Sequence, residues 1–298
     1  MKLHVRHRTH YGYSEYASQS HNHISLQPRD TPYQRSLHTR VTISPEPDTV
    51  QEIFDVYGNL GTHFSISLRH KACDIVVTSL VETLDTLALL PSSRGVDENL
   101  QLIQDDDSID ALMALDCLQA SPYIAESNLL DEFLKEIPIE NQSVLEYADK
   151  LMQYIFNTFE YTSGFSTLVT PLSTIYKERK GVCQDFAHLA IATLRRQNVP
   201  ARYVSGYLET LPPPGEKKLQ GADASHAWFA VFDAKHGWFD FDPTNNKRPD
   251  TQYITTAWGR DYADVTPIKG VVYGGGSHSL TVEVDVTRTG AAPTAITE

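Results

Sequence analysis

A cysteine, a histidine and an aspartate follow one another in the second half of the chain, in an order that allows nucleophilic catalysis. Cys183 stands at the start of a predicted helix, and His226 and Asp242 lie on two predicted strands. A thiol attacks a carbonyl carbon well only as the thiolate, which a helix N-terminus, an imidazolium or nearby cations stabilise. The unpaired N–H of Cys183 in the first helical turn could face a developing oxyanion. The three residues therefore predict an activated cysteine nucleophile.

The choice of Asp242 over Asp240 depends on how two strands pair. If Phe232 pairs with Trp238 across a hairpin, Asp242 falls on the same face as His226, at a diagonal position about 7–8 Å away between backbones. A register shifted by one residue would point Asp242 to the other face of the sheet. Asp240 has the same parity as Asp242 but lies too far along the strand. The catalytic interpretation thus predicts the Phe232–Trp238 register.

The elements around these residues can be read from the pattern of apolar residues. A helix is predicted over 183–197, with arginines in its last turn and a stop at Asn198 and Pro200. The strands expected after it cover residues 202–208, 226–232 and 238–242. Between the first two lies the Pro- and Gly-rich stretch 211–223, which we expect to be a loop that borders the cleft.

The rest of the chain divides by pattern into further segments. Residues 1–85 alternate in hydrophobicity between turn residues and predict a β-rich, sandwich-like module. Residues 86–125 have a weak pattern and are interpreted as a connecting segment. Residues 126–290 combine helical spacing, the strands above and a last strand around 280–286, which predicts an α+β core. Residues 291–298 are expected to form a flexible tail.

Three sequence motifs carry a resemblance to a known family. They are residues 181–189 (GVCQDFAHL), residues 225–228 (SHAW), and residues 237–238 with 242–244 (GW and DPT). In this order they resemble the core of the transglutaminase-like superfamily. Residues 26–29 (LQPR) and 55–59 (DVYGN) resemble marks of the N-terminal β-rich module in the bacterial branch. The resemblance covers most of the chain apart from residues 86–125.

The resemblance implies a papain-like fold in which Cys183 is the nucleophile, His226 the general base and acid, and Asp242 the residue that orients the imidazole. It implies a thioester formed from an amide of a peptide or protein substrate and released to water or to an amine. In papain-like enzymes a further side chain often completes the oxyanion hole. The candidates here for oxyanion or substrate contacts are Tyr161, Gln184 and Trp228, although Trp228 is expected more readily in the core.

The alternative function is a non-catalytic protein-interaction module on the same fold. The presence of all three catalytic residue types argues against it. No calcium loop, CxxC pair, HExxH, phosphate loop or GxSxG elbow occurs in the sequence, so no cofactor or metal is expected.

Composition excludes other classes of function. The formal net charge is −13 and the lysines and arginines are not clustered, which disfavours a nucleic-acid partner. No window reaches the roughly 18 apolar residues of a membrane span, and the start has no signal-peptide pattern. The three cysteines are far apart and odd in number, which indicates a reducing compartment. We therefore expect a cytoplasmic protein without a membrane or nucleic-acid partner.

Overall fold

The computed structural model describes residues 1–85, 90–124, 129–210 and 225–289 of the 298-residue chain. The predicted cleft loop 211–223 and the predicted tail 291–298 lie outside the described residues. The helices are α1 (Val96–Gln104), α2 (Ile109–Asp116), α3 (Leu129–Glu136), α4 (Val144–Thr158), α5 (Leu172–Glu178) and α6 (Cys183–Arg196). None of these helices is both long enough and apolar enough to cross a bilayer.

The described strands form antiparallel sheets, apart from one short parallel pair. They are β1 (Lys2–Ile24), β2 (Gln34–Ser44), β3 (Thr49–Phe54), β4 (Leu60–Ile66), β5 (His70–Thr83), β6 (Glu160–Tyr161), β7 (Lys180–Gly181), β8 (Ala201–Leu208), β9 (Ser225–Asp233), β10 (Gly237–Phe241), β11 (Tyr253–Gly259), β12 (Ile268–Gly274) and β13 (His278–Arg288). Helices and sheets occur together in one chain, which confirms the predicted α+β class.

The C-terminal half is built on helix α6 and a sheet in the order β10-β9-β8-β11. One face of β9 carries Ala227, Phe229 and Val231 into an apolar core that it shares with α6. The helix begins where the carboxylate of Asp185 accepts the N–H of Val182 at 2.8 Å, which satisfies one of the donors at the helix start. The predicted bounds of α6, β8, β9 and β10 agree with the structure to within one residue.

A long first strand organises the N-terminal sheet. Residues 2–12 of β1 pair with β5 on one side, and residues 3–13 pair with β13 on the other. After an irregular stretch, residues 20–24 pair with β4 and β12 instead. Because β1 changes partners along its length, the sheet curls. The predicted β-rich module is this curled sheet, and the two C-terminal strands are part of it; the boundaries between domains stay a prediction.

Two buried side-chain amides join the N-terminal sheet to the free edge of β11. The amide of Gln34 donates to the carbonyl of Thr255 and accepts its N–H, both at 2.8 Å. The amide of Asn59 pairs in the same way with Trp258, at 2.7 and 3.0 Å. These amides take the place of a neighbouring strand, since an edge strand otherwise leaves its backbone groups unpaired. Motif 55–59 therefore has a structural purpose at this junction.

The segment that the sequence leaves as a connection contains α1 and α2. Its weak pattern has a physical reason, because Leu102, Ile109 and Leu112 are exposed on short helices. A buried polar residue anchors the segment instead: Asn99 donates to the carbonyl of Phe232 at 3.1 Å and accepts the N–H of Ala234 at 2.9 Å. These bonds hold α1 against the β9–β10 hairpin, and only the tertiary structure reveals them.

Candidate active site

The fold brings the three predicted catalytic residues together at one end of the sheet. Cys183 is the first residue of α6 and is partly exposed, His226 is the second residue of β9, and Asp242 directly follows β10. Nε2 of His226 lies 2.7 Å from Oδ2 of Asp242. The side chain of Cys183 is close enough to the imidazole to raise the pKa of His226. Because Nε2 faces the aspartate, Nδ1 is the ring nitrogen available to the thiol.

The hairpin register that selects Asp242 is confirmed. Phe232 pairs with Trp238, and the pairing continues to Phe229 with Phe241. Asp233 and Gly237 also pair, so the connecting loop consists of residues 234–236. Asp240 pairs with Ala230, as the parity argument requires, so the aspartate that reaches His226 is Asp242.

Asp242 is fully buried and accepts hydrogen bonds from several donors. Oδ2 accepts from the hydroxyl of Tyr253 and the side-chain amide of Asn245, each at 2.7 Å, besides His226. Oδ1 accepts the backbone N–H of Thr244 at 2.9 Å. Burial alone would raise the pKa of this carboxyl, but the hydrogen bonds and the imidazole outweigh burial and lower the pKa. Asp242 is therefore held as a carboxylate.

The charge state of His226 follows from the same contacts. Burial lowers the pKa of the imidazole, but hydrogen bonds to Asp242 and Cys183 raise it more strongly, to about 10. An imidazolium at neutral pH favours the thiolate form of a neighbouring cysteine. His226 is therefore held as an imidazolium at neutral pH, at the position next to Cys183.

The helix terminus supplies a donor beside the thiol. The N–H of Cys183 has no hydrogen-bond partner among the described residues, as expected for the first turn of a helix. The N–H of Val182 is engaged by Asp185, whose carboxylate also accepts from the hydroxyl of Ser166. The free donor at Cys183 is available to a negatively charged oxygen formed when the thiolate attacks a carbonyl.

The remaining predicted contact residues lie at different depths. Tyr161 is 53% exposed, and its strand pairs with Gly181. Burial raises the pKa of Tyr161, and the charge of Cys183 adds to the effect, so the phenol lies near the thiol. Gln184 is partly buried next to Cys183 in the first helical turn. Tyr161 and Gln184 stay candidates for oxyanion or substrate contacts.

Trp228 was a candidate for contact with the substrate, and the structure corrects this prediction. Its side chain is fully buried, so it cannot line a cleft. The indole packs edge-on against the ring of Tyr253 at 5.4 Å between centroids, and its centroid lies 6.0 Å from that of His226. Trp228 therefore packs in the core next to the ring of His226, and the sequence had favoured a core position for it.

Sequence reasoning missed Tyr253 and Asn245. Asn245 lies directly after the motif 242–244, and this position could have indicated that it contacts Asp242. Tyr253 begins β11, which is separated from β10 in the sheet by two other strands, so no local pattern points to it. His188 lies away from the thiol, as its helical position predicts: its Nε2 accepts the N–H of Tyr262 at 3.2 Å, and its ring stacks on Tyr123.

Comparison with known proteins agrees with this architecture. The transglutaminase-like superfamily matches residues 132–243, and the bacterial transglutaminase-like N-terminal region matches residues 3–82. An uncharacterized protein of Mycobacterium tuberculosis is 34% identical over 287 residues, which cover 95% of this chain and 91% of the relative. An uncharacterized protein of Mycobacterium leprae is 32% identical, over 96% of this chain and 99% of the relative. The chain belongs to the transglutaminase-like superfamily.

A solved structure extends the similarity to the whole fold. It is a candidate cysteine protease from Cytophaga hutchinsonii, with a TM-score of 0.73 and 25% sequence identity. The match covers 100% of this chain and 92% of that protein. The N-terminal sheet and the C-terminal half thus recur together in a second protein.

Proposed function

We propose that this protein is a cysteine-dependent amide-bond hydrolase or acyl transferase that acts on a peptide or protein substrate. The observation that carries the proposal is the group formed by Cys183, His226 and Asp242: the imidazole is bonded to Asp242 at 2.7 Å, and Cys183 is close enough to raise its pKa. The superfamily and the cysteine-protease name of the Cytophaga protein support the same chemistry.

The first half of the proposed reaction forms a thioester. The thiolate of Cys183 attacks the amide carbonyl carbon, and the carbonyl oxygen becomes an oxyanion that faces the free N–H of Cys183. When the carbon–nitrogen bond breaks, the imidazolium of His226 gives its proton to the leaving amine. The acyl group remains on sulfur and the imidazole is neutral.

The second half releases the acyl group. Neutral His226 takes a proton from water or from an acceptor amine, whose oxygen or nitrogen attacks the thioester. The carbon–sulfur bond breaks, and the thiolate and imidazolium are restored. Hydrolysis is favoured over transfer, because water is always present as acceptor and no residue marks an amine site. Asp242 keeps the imidazole oriented throughout.

The chemistry requires a reduced thiol, which agrees with a cytoplasmic location. Cys73, Cys117 and Cys183 are all free. Cytosolic thiols are kept reduced by the glutathione and thioredoxin systems. We therefore keep the cytoplasm as the proposed compartment.

The deciding experiment is a screen of the purified protein against peptide, isopeptide and glutamine–amine substrates. Cys183→Ser should abolish turnover, whereas Cys117→Ala, which removes a buried thiol, should retain it. A thioester should be trapped by rapid quenching and mass spectrometry of the wild type. Absence of turnover and of any covalent adduct would instead favour a non-catalytic interaction module.

A further inference from the structure

A cavity of about 740 Å³ lies between the N-terminal sheet and the C-terminal half. It is separate from the candidate nucleophile, because neither Cys183 nor His226 lines it. Strands β8, β10 and β11 provide one wall, helix α2 another, and the loops around Arg29 and Tyr57 a third. A cavity of this size is in the usual range for small-ligand sites.

Arg202 is the residue that indicates a binding site in this cavity rather than a gap in the packing. Its side chain lies between two tryptophans, with the guanidinium carbon 4.1 Å from the ring centroid of Trp238 and 3.7 Å from that of Trp258. The residue is 92% buried, being 8% exposed, and it lines the cavity. Its Nε has no hydrogen-bond partner among the described residues, and no bond from its other nitrogens is found there either.

The unpaired guanidinium implies a missing acceptor. Stacking satisfies the two flat faces of the group, but the N–H donors lie in its plane and point past the rings. Burying a charged donor without an acceptor is costly. Asp240 lies close enough to raise the pKa of Arg202, although no ion pair within 4.0 Å is found between them in the described part of the chain.

A second arginine repeats the pattern. The guanidinium carbon of Arg29 lies 3.2 Å from the ring centroid of Trp258, the same ring that Arg202 contacts at 3.7 Å. Nη1 of Arg29 donates to the carbonyl of Tyr57 at 3.2 Å and to Oδ1 of Asn59, but its Nε has no partner among the described residues. Burial lowers the pKa of Arg29 to about 9, and the charge of Arg202 contributes. Two like charges are thus held close together in a half-buried site.

The other charged residues of the cavity limit which ligands can bind there. Asp110, Asp240, Asp250 and Arg248 also line it, and Asp250 is already paired with Lys247 at 2.9 Å. Inorganic anions would meet these carboxylates unfavourably. A peptide suits both signs, because its N–H groups can donate to Asp110 or Asp240 while its carboxylate accepts from the arginines. Apolar walls at Ile109 and Met113 can take a side chain.

We propose that this cavity binds a short peptide through a carboxylate group that accepts hydrogen bonds from Arg202, with Arg29 assisting. The carboxylate can be the C-terminus of the peptide or an acidic side chain. The site does not depend on the chemistry proposed for Cys183. Its occupant would lie next to Tyr253, which lines the cavity and also donates to Asp242.

The proposal can be tested by calorimetry on full-length protein carrying Cys183→Ser, so that no peptide is consumed. The probes are acetyl-alanyl-alanyl-phenylalanine with a free carboxylate, the same peptide as its C-terminal amide, and acetyl-alanyl-glutamyl-phenylalanine amide. We expect the free acid or the glutamyl peptide to bind, and the first amide to bind at least about tenfold more weakly. The two carboxylate probes distinguish a C-terminus from an acidic side chain.

Substitutions then locate the site. Arg202→Gln should weaken binding of the preferred probe by about tenfold or more, and Arg94→Gln, at an exposed arginine paired with Glu98, should leave it unchanged. If Arg202→Gln does not fold, Arg29→Gln serves in its place, with a smaller loss expected. The proposal would be overturned if the first amide bound as tightly as the better of the two carboxylate probes, if no probe bound at up to about 10 mM, or if binding were insensitive to the folded arginine variant.

Discussion

The hydroxyl of Tyr253 donates to the same oxygen of Asp242 that faces the imidazole of His226, each contact measuring 2.7 Å. The tyrosine comes from the strand farthest from β10 in the sheet, yet it anchors the carboxylate that follows β10. Orientation of the histidine therefore depends on a residue outside the three candidate catalytic positions.

Tyr253→Phe should lower the free energy of unfolding by about 1.5–3 kcal/mol, the usual worth of a hydrogen bond to a charged group. Reversible urea unfolding measures the loss. Tyr262→Phe is the matched control, because its hydroxyl makes no hydrogen bond with the described residues. An equal loss in both variants would show that the Tyr253 hydroxyl has no special role.

Cys183 should react with iodoacetamide at least about tenfold faster than the other two thiols. Cys73 and Cys117 are each 2% exposed, and burial raises the pKa of Cys73 to about 12 and that of Cys117 to about 11. Peptide mass spectrometry at neutral pH follows the three sites separately. His226→Ala should slow labelling of Cys183, whereas His38→Ala at an exposed strand position should not. Similar rates at all three cysteines would argue against an activated thiol.

The stability of the protein should depend on pH through His226. Its pKa is raised from 6.5 to about 10, so its contribution is complete below about 6.5 and is lost as the pH rises through about 10. The difference in unfolding free energy between wild type and His226→Gln should therefore shrink across this window. Urea unfolding at several pH values measures it, with His38→Gln as a control for removing an exposed imidazole. A difference in unfolding free energy that stays constant or grows with pH would contradict a raised pKa for His226.

The junction between the two halves should depend on Gln34. Gln34→Ala leaves the N–H of Thr255 and the carbonyl of Arg29 without their amide partner. Each buried backbone group left unpaired costs about 1–3 kcal/mol, and unfolding by urea should show a loss of at least that size. Gln51→Ala, on the exposed face of β3, is the control and should change stability little. A loss no larger than that of the control would mean that water replaces the amide.

How much of the fold and of the candidate site could be predicted depends on how far apart in sequence the interacting residues lie. Helix α6 follows from local periodicity, whereas the register of the β9–β10 hairpin was predicted only from the requirement that Asp242 share a face with His226; the structure has this register. Residues whose partners are distant could not be found in this way. Asn99 looks like an ordinary polar residue until the hairpin whose backbone it satisfies is in place.

Strand β1 also could not be predicted fully, because some of its buried positions depend on distant hydrogen-bond partners. Its inward positions include His7 and Thr9, which are buried although polar. They are acceptable there because His7 hydrogen-bonds both Thr9 and Tyr207. A pattern based on apolar residues alone therefore identifies a β-rich region but not one strand that runs from Lys2 to Ile24.

The pairing of β1 with β13 has a consequence for biosynthesis. Leu3 pairs with Arg288, so β1 leaves the ribosome long before the strand with which it pairs. Contacts of such long sequence separation form slowly. Until β13 arrives, residues 3–13 keep one row of backbone donors and acceptors open to strands of other nascent chains. The yield of soluble protein during synthesis should thus be governed by the delay before β13 emerges.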